Sequence, residues 1–213
     1  MKLIERLLYY KAASVNVSEP FETVVPDELI KHYPEPPEKL QAILQKVPAT
    51  GKVLYHHIMQ NGISKESKYW AMDMMENGFE THGIIQLAGE DLNMNPFAYS
   101  DLFSTIFKEL DIEKGKEVVY RSYAVSIADE VLQGERTARD GFEILSRAAM
   151  DTDYNEVFRD FYIWLDNADE VAFMTFKGSG LRMDNVEEWL HQYCEKFVKA
   201  NYKYSSVISN LKG

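Results

Sequence analysis

The chain has 213 residues, of which 46% are hydrophobic and 27% are charged, and its net charge is −11. This length predicts one substantial hydrophobic core, and we expect a single domain over residues 1–213. The acidic excess argues against nucleic acid as a partner, because phosphate contacts require lysine and arginine. No apolar run reaches the roughly 18 residues of a membrane span and no signal peptide opens the chain, so we expect a cytoplasmic protein without membrane contact.

The first 38 residues predict a docking helix and then an extended arm. Apolar residues recur at helical spacing over residues 1–13, which is typical of a short amphipathic helix. Five prolines lie within residues 14–38 and favour an extended backbone, with at most one helical turn at residues 27–31. The arm also carries many apolar side chains, so we expect it to pack on later helices; binding of a partner, including a second copy, is the alternative.

Residues 39–200 form the predicted helical core, and its clearest signal begins near Trp70. Trp70 and Met74 are four residues apart, which places them on one helix face, and the following Gly78 predicts the end of that helix. Thr81 predicts the N-terminal cap of a second, short helix, with Gly89 just past its end. Two short helices at residues 40–47 and 53–59 precede this pair.

A further helix begins at Asn95-Pro96, because asparagine can cap the first turn and proline fits the first helical position. Its predicted apolar stripe comprises Leu102, Phe103, Ile106, Phe107 and Leu110.

The C-terminal half predicts more helices at short intervals. A helix over residues 116–132 ends near Gly134, and Thr137, Asp153 and Asp184 are the expected caps of the next three. Residues 170–176 are short, apolar and partly alternating, so helix and strand both stay open, although we favour the end of a helix.

Acidic residues concentrate in two blocks. Residues 65–113 contain 10 acidic and 3 basic side chains, and residues 151–170 contain 7 acidic and 1 basic. Such blocks attract a basic protein partner, although acidic faces also serve solubility alone. The candidate interaction residues are Glu76, Glu80, Glu90, Asp91, Glu156 and Asp160.

Side chains that could support chemistry are few. Asp73, Glu76 and His82 could hold a divalent cation, but helix caps and a solvated face explain them equally well. Glu156 and Asp160 could act as paired carboxylates with Asp129-Glu130, although a salt-bridge network is the simpler interpretation. The single cysteine, Cys194, excludes an intrachain disulfide and is interpreted as a packing residue. We expect no cofactor.

Three segments carry a resemblance: the W-x7-G spacing from Trp70 to Gly78, the stretch QLAGEDLNMNPF at residues 86–97, and SIADEVLQGERTARDGFEIL at residues 126–145. Together they resemble a loose group of bacterial all-helical proteins over residues 65–170. The group has no established activity, so the resemblance implies no catalytic residue.

The sequence therefore predicts an all-α, multi-helical domain with an extended proline-rich N-terminal arm, its hairpins packed as a bundle or a short array. The leading functional hypothesis is a protein-protein interaction module with acidic faces, of the immunity or inhibitor type, that could also form a homo-oligomer. The alternative is a small hydrolase or metal-dependent enzyme that uses carboxylates and His82.

Overall fold

A computed structural model describes residues 24–60, 65–91, 95–112, 115–171 and 181–207. All regular structure in these ranges is helical, which confirms the all-α class. The helices are α1 (Glu38–Lys46), α2 (Thr50–Gln60), α3 (Lys65–Glu76), α4 (His82–Gly89), α5 (Pro96–Glu109), α6 (Lys116–Leu132), α7 (Ala138–Asp151), α8 (Glu156–Glu170) and α9 (Val186–Ala200). None of them combines the length and the apolarity that a membrane span needs. The predicted docking helix at 1–13 lies outside the described residues. So do residues 172–176 of the segment 170–176, for which helix and strand stayed open.

The chain divides into two compact units, and the single domain over residues 1–213 stays a prediction. One unit comprises Tyr33–Asp129 and Asn201–Gly213, and we call it the α1–α6 unit. The other comprises Met1–His32 and Glu130–Ala200, and we call it the α7–α9 unit.

The α1–α6 unit is built around helices that approach each other closely. Trp70 of α3 is fully buried, and its indole nitrogen donates a hydrogen bond to the Thr50 hydroxyl at 2.9 Å. Gly83 of α4 lies against α5, where an added Cβ would stand 2.7 Å from Ile106 Cγ1. The Glu109 carboxylate accepts a hydrogen bond from the Gly83 amide at 2.8 Å, so α5 also supplies a cap for α4. The predicted stripe of α5 is buried.

The α7–α9 unit packs α8 and α9 against α7 around aromatic side chains. The ring of Phe161 lies 5.1 Å from Phe142, 5.6 Å from Tyr193 and 5.1 Å from Phe197, each in an edge-to-face arrangement. Glu187 of α9 accepts hydrogen bonds from the first amides of α7, at 2.6 Å in the closer case. An acidic side chain from a neighbouring helix thus caps a helix in this unit too.

Most helix ends follow the sequence signals. Gly78 and Gly134 adopt left-handed φ angles of +81° and +74° after α3 and α6. Gly89 is the last residue of α4 instead of the first beyond it. Three predicted N-terminal caps are confirmed, and each accepts a first-turn amide hydrogen bond: Thr81, Asn95 and Thr137.

The expectation that Asp153 caps α8 is wrong. Asn155 is the cap, and its side-chain oxygen accepts a hydrogen bond from the Val157 amide at 2.9 Å. Asp153 closes α7 instead: its φ is +54°, and its amide donates to the Met150 carbonyl at 3.3 Å. Aspartate tolerates the left-handed conformation better than most residues, and this position after a helix requires it.

Asp184 is likewise not the first residue before a helix, because α9 begins at Val186. The Asn185 carbonyl accepts the first helical hydrogen bond, from the Trp189 amide at 2.8 Å. The Asp184 carboxylate binds the Arg182 guanidinium at 3.0 Å.

The described part of the arm, residues 24–37, packs on its own chain and contains one 3-10 turn at Asp27–Leu29. Val25 is fully buried in the α7–α9 unit, where Lys196 of α9 donates to the Val25 carbonyl at 2.6 Å and to the Asp27 carboxylate at 2.5 Å. In the α1–α6 unit the Tyr33 amide donates to the Asn201 side chain at 2.7 Å. The expected packing on later helices is confirmed for these residues.

Candidate interaction surface

The solvent side of α3 presents one continuous face. Residues three, four and seven apart lie on the same side of a helix, so the exposed side chains of this helix form a single stripe. Trp70 and Met74 occupy the opposite side and are fully buried. We call the exposed stripe the α3 face; it comprises Lys65, Glu66, Tyr69, Met72, Asp73 and Glu76.

Carboxylates gather where α3 ends. We use the name acidic end for Asp73, Glu76 and Glu80, which are all exposed. Within the described part of the chain, none of the three carboxylates makes an ion pair or a hydrogen bond. Among the described residues, no basic side chain pairs with these carboxylates, and the Lys46 ammonium lies 5.6 Å from the ring centroid of the neighbouring Phe79.

The backbone makes this position unfavourable for negative charge. A helix carries a partial negative charge at its C-terminus, where an acidic side chain destabilises it by about 0.3–1 kcal/mol. Asp73 and Glu76 lie in the last turn of α3 and are three residues apart, so they also repel each other. Gly78 closes the helix with ordinary backbone hydrogen bonds, at 3.1 Å to Met75 and from Phe79 to Met74 at 2.9 Å. The acidic end thus does nothing for folding that neutral side chains would not do.

Two apolar side chains lie beside these charges. Tyr69 is 64% exposed and Met72 is 49% exposed. Tyrosine and methionine provide large, adaptable contact area in protein interfaces. Sequence reasoning missed these two residues. Their spacing from Trp70 and Met74 places them on another side of α3, and this spacing was a signal of their exposure.

The end of α4 differs, because basic and polar side chains stabilise it. The Lys68 ammonium donates to the Glu90 carbonyl, and the Gln86 amide donates to the Glu90 carboxylate at 3.0 Å. Asp91 is exposed but already engaged in a contact. Of the candidates in this block, Glu76 and Glu80 are therefore the ones whose carboxylates have no hydrogen-bond or ion-pair partner among the described residues.

Three acidic side chains of α8 have partners within the described residues. Glu156 lies in the first turn of α8, where the helix dipole favours a negative charge. The Lys31 ammonium donates to the Glu156 carbonyl at 2.6 Å and lies 3.7 Å from its carboxylate. Asp160 is partly buried and engaged in a contact, and Asp169 pairs with Arg139 at 2.6 Å.

The proposed metal ligands are not brought together. Asp73, Glu76 and His82 are all exposed, and the described ranges contain no group of three or more acidic, histidine or cysteine side chains placed to hold a metal ion. The ring of His57 stacks on Phe103 with centroids 4.2 Å apart, so it belongs to the core.

The other candidates for chemistry have structural partners. The buried Asp129 carboxylate accepts hydrogen bonds from the Ser205 hydroxyl at 2.7 Å and the Ser206 amide at 3.0 Å. Glu130 pairs with Arg136. Cys194 is buried, and burial raises the pKa of its thiol, which disfavours the reactive thiolate.

Known proteins provide no assignment for this surface. The chain matches no protein-family model, no curated protein and no solved structure. Any function must therefore be argued from the side chains of the surface itself.

Proposed function

We propose that this chain is a protein-interaction module that binds a basic protein partner through the α3 face and the acidic end. The observation that carries the proposal is that exposed apolar side chains lie beside carboxylates that make no ion pair or hydrogen bond among the described residues, on α3 and in the turn that follows it. Tyr69 and Met72 supply contact area, and Asp73, Glu76 and Glu80 supply charge.

Solubility alone explains this arrangement less well. Acidic side chains keep a protein soluble wherever they stand, and a helix N-terminus would accept them at no electrostatic penalty. At the end of α3, Asp73 and Glu76 oppose the helix dipole instead. Lysine or arginine from a partner would remove that penalty. The relief of this electrostatic destabilisation would then contribute to the binding free energy.

An inhibitor or immunity protein is the form of this function that the charge favours. Enzymes that act on phosphate-rich substrates present basic surfaces, because phosphate binding depends on lysine and arginine. An acidic face with apolar anchors would cover such a surface. This remains one kind of basic partner among those the proposal admits.

Affinity capture from lysate of the host tests the proposal. The bait is the tagged full chain, at about 0.1 M and about 0.5 M salt, because exposed charge pairs weaken as the Debye length falls. The variant Asp73→Asn/Glu76→Gln/Glu80→Gln should lose a basic protein that the wild type retains at low salt. The matched control Glu156→Gln/Asp160→Asn/Asp169→Asn removes the same three charges and should keep it. Equal capture by both variants would overturn the proposal.

A further inference from the structure

We propose that a second copy of this chain occupies the α3 face when no other partner is bound, with the two α3 helices antiparallel about a two-fold axis. This inference rests on the proposed function, because it assigns a partner to the same surface. It also adds a form of regulation, since self-pairing would cover the side chains that a basic protein must reach.

The order of side chains along α3 is self-complementary. Residues 65 and 76 are equally far from the midpoint between Trp70 and Ala71, and so are residues 69 and 72. Two antiparallel copies in register therefore place Lys65 opposite Glu76 at both ends of the contact. Tyr69 of each copy meets Met72 of the other in the middle.

The spacing is that of a helix-helix seam. The steps from Lys65 to Tyr69, Met72 and Glu76 are four, three and four residues, which is the heptad alternation that lets two helices stay in contact over successive turns. The side chains of this seam are all exposed in the single chain. Lys65 makes no hydrogen bond or ion pair within the described residues, so it is available to a second copy.

Electrostatics favours the antiparallel direction. Glu76 stands at the negative end of its own α3, and antiparallel pairing brings it to the positive N-terminal end of the other α3. The net charge of −11 repels two copies, but salt screens charges that are more than about 8 Å apart at physiological ionic strength, so the local pairs decide the contact.

The contact is small, and we therefore expect a weak dimer. Three turns of helix bury far less than the roughly 1,200 Å² of a stable interface. A dissociation constant in the micromolar to millimolar range leaves a larger basic partner able to displace the second copy.

Sedimentation equilibrium of the full chain from about 1 µM to about 1 mM tests the pairing. The average mass should rise toward the dimer across this range. Lys65→Glu and Glu76→Lys should each weaken dimerisation about tenfold, because each reversal sets like charges opposite each other at both ends. The double variant K65E/E76K should restore it, since the pairs re-form with their signs exchanged.

The rescue can only be intermolecular. Lys65 and Glu76 are eleven residues apart on one helix, or about 16 Å, which is too far for a pair within the chain. Lys116→Glu is the control, because Lys116 is exposed on α6 outside the α3 face, and it should leave dimerisation unchanged.

A chain that stays monomeric up to about 1 mM overturns the inference, as does a double variant no better than the single ones. The proposed function fails separately. A monomer that still captures a basic protein through the acidic end keeps the function and loses the pairing, whereas a dimer that captures nothing keeps the pairing alone.

Discussion

The acidic end of α3 and the first turns of α8 carry the same kind of side chain at opposite ends of a helix. In α8, Glu156 benefits from the helix dipole and lies beside Lys31. In α3, Asp73 and Glu76 oppose the dipole, and no side chain among the described residues pairs with them. Acidic side chains thus stabilise the start of α8 and destabilise the end of α3. The proposed function rests on this difference and not on local acidity alone.

Charge reversal should produce the largest difference in partner binding between the acidic end of α3 and the first turns of α8. Glu76→Lys/Glu80→Lys should weaken binding of the captured basic protein at least about a hundredfold, because like charges then face each other at the contact. Glu156→Lys/Asp160→Lys, which makes the same change in α8, should alter the dissociation constant less than about threefold. Titration calorimetry with the purified partner measures both values, and similar losses for the two variants would remove the distinction.

Removal of the lysine that stabilises the C-terminal end of α4 should destabilise the chain. Lys68→Met removes the ammonium that binds the Glu90 carbonyl, so we expect a loss of about 1 kcal/mol in the free energy of unfolding. Lys65→Met removes the same charge from the same helix without a hydrogen bond and should change stability by less than about 0.5 kcal/mol. Urea unfolding of the dilute protein measures the difference.

Single neutral substitutions should act with opposite signs in the two regions. Glu76→Gln should stabilise the chain by about 0.3–0.5 kcal/mol, because it removes a charge that the dipole of α3 disfavours. Glu156→Gln should destabilise it by a similar amount, since that charge is favoured by α8 and by Lys31. Both effects should shrink at about 0.5 M salt. Destabilisation by Glu76→Gln would mean that its charge is compensated after all.

The smallest effect concerns the arm, where the α7–α9 unit again compensates an acidic side chain. The hydrogen bond from Lys196 and its charge lower the pKa of Asp27 below the ordinary value of 3.8. A lowered pKa stabilises the folded chain above that value, and this contribution disappears as the pH falls through the folded pKa.

Asp27→Asn should therefore lower the melting temperature slightly near pH 6, and the difference from wild type should vanish in strong acid. Glu28→Gln, at the exposed neighbouring position, is the control and should leave the melting temperature near pH 6 close to that of the wild type. A difference between Asp27→Asn and wild type that persists unchanged in strong acid would show that the ion pair is not its cause.

Local signals were sufficient for most of the fold. Thr81, Asn95 and Thr137 cap helices because each needs only a neighbouring amide, and the sequence contains that information. Asp153 was misassigned because two helix ends compete for the residues between α7 and α8. Asp153 and Tyr154 both adopt the left-handed conformation, and this follows from the packing of the whole hairpin.

The site was less accessible to sequence reasoning. Both acidic blocks look alike in composition, and the groups that compensate one of them come from far along the chain: Lys31 is 125 residues from Glu156. The lack of a pairing side chain for Glu76 among the described residues is likewise visible only in the folded chain. The exposure of Tyr69 and Met72 could have been inferred, since neither lies on the side of α3 that carries the buried Trp70 and Met74.

Site-specific photo-crosslinking in the host tests most directly whether the α3 face is a contact surface. Tyr69 is replaced by a photoreactive phenylalanine derivative, and Tyr154 in the α7–α8 turn, which is 46% exposed, receives the same replacement as the control. We expect a covalent adduct from position 69, either with a basic protein or with a second copy of the chain, and none above background from position 154. Absence of an adduct at position 69, or equal adducts at both positions, would contradict it.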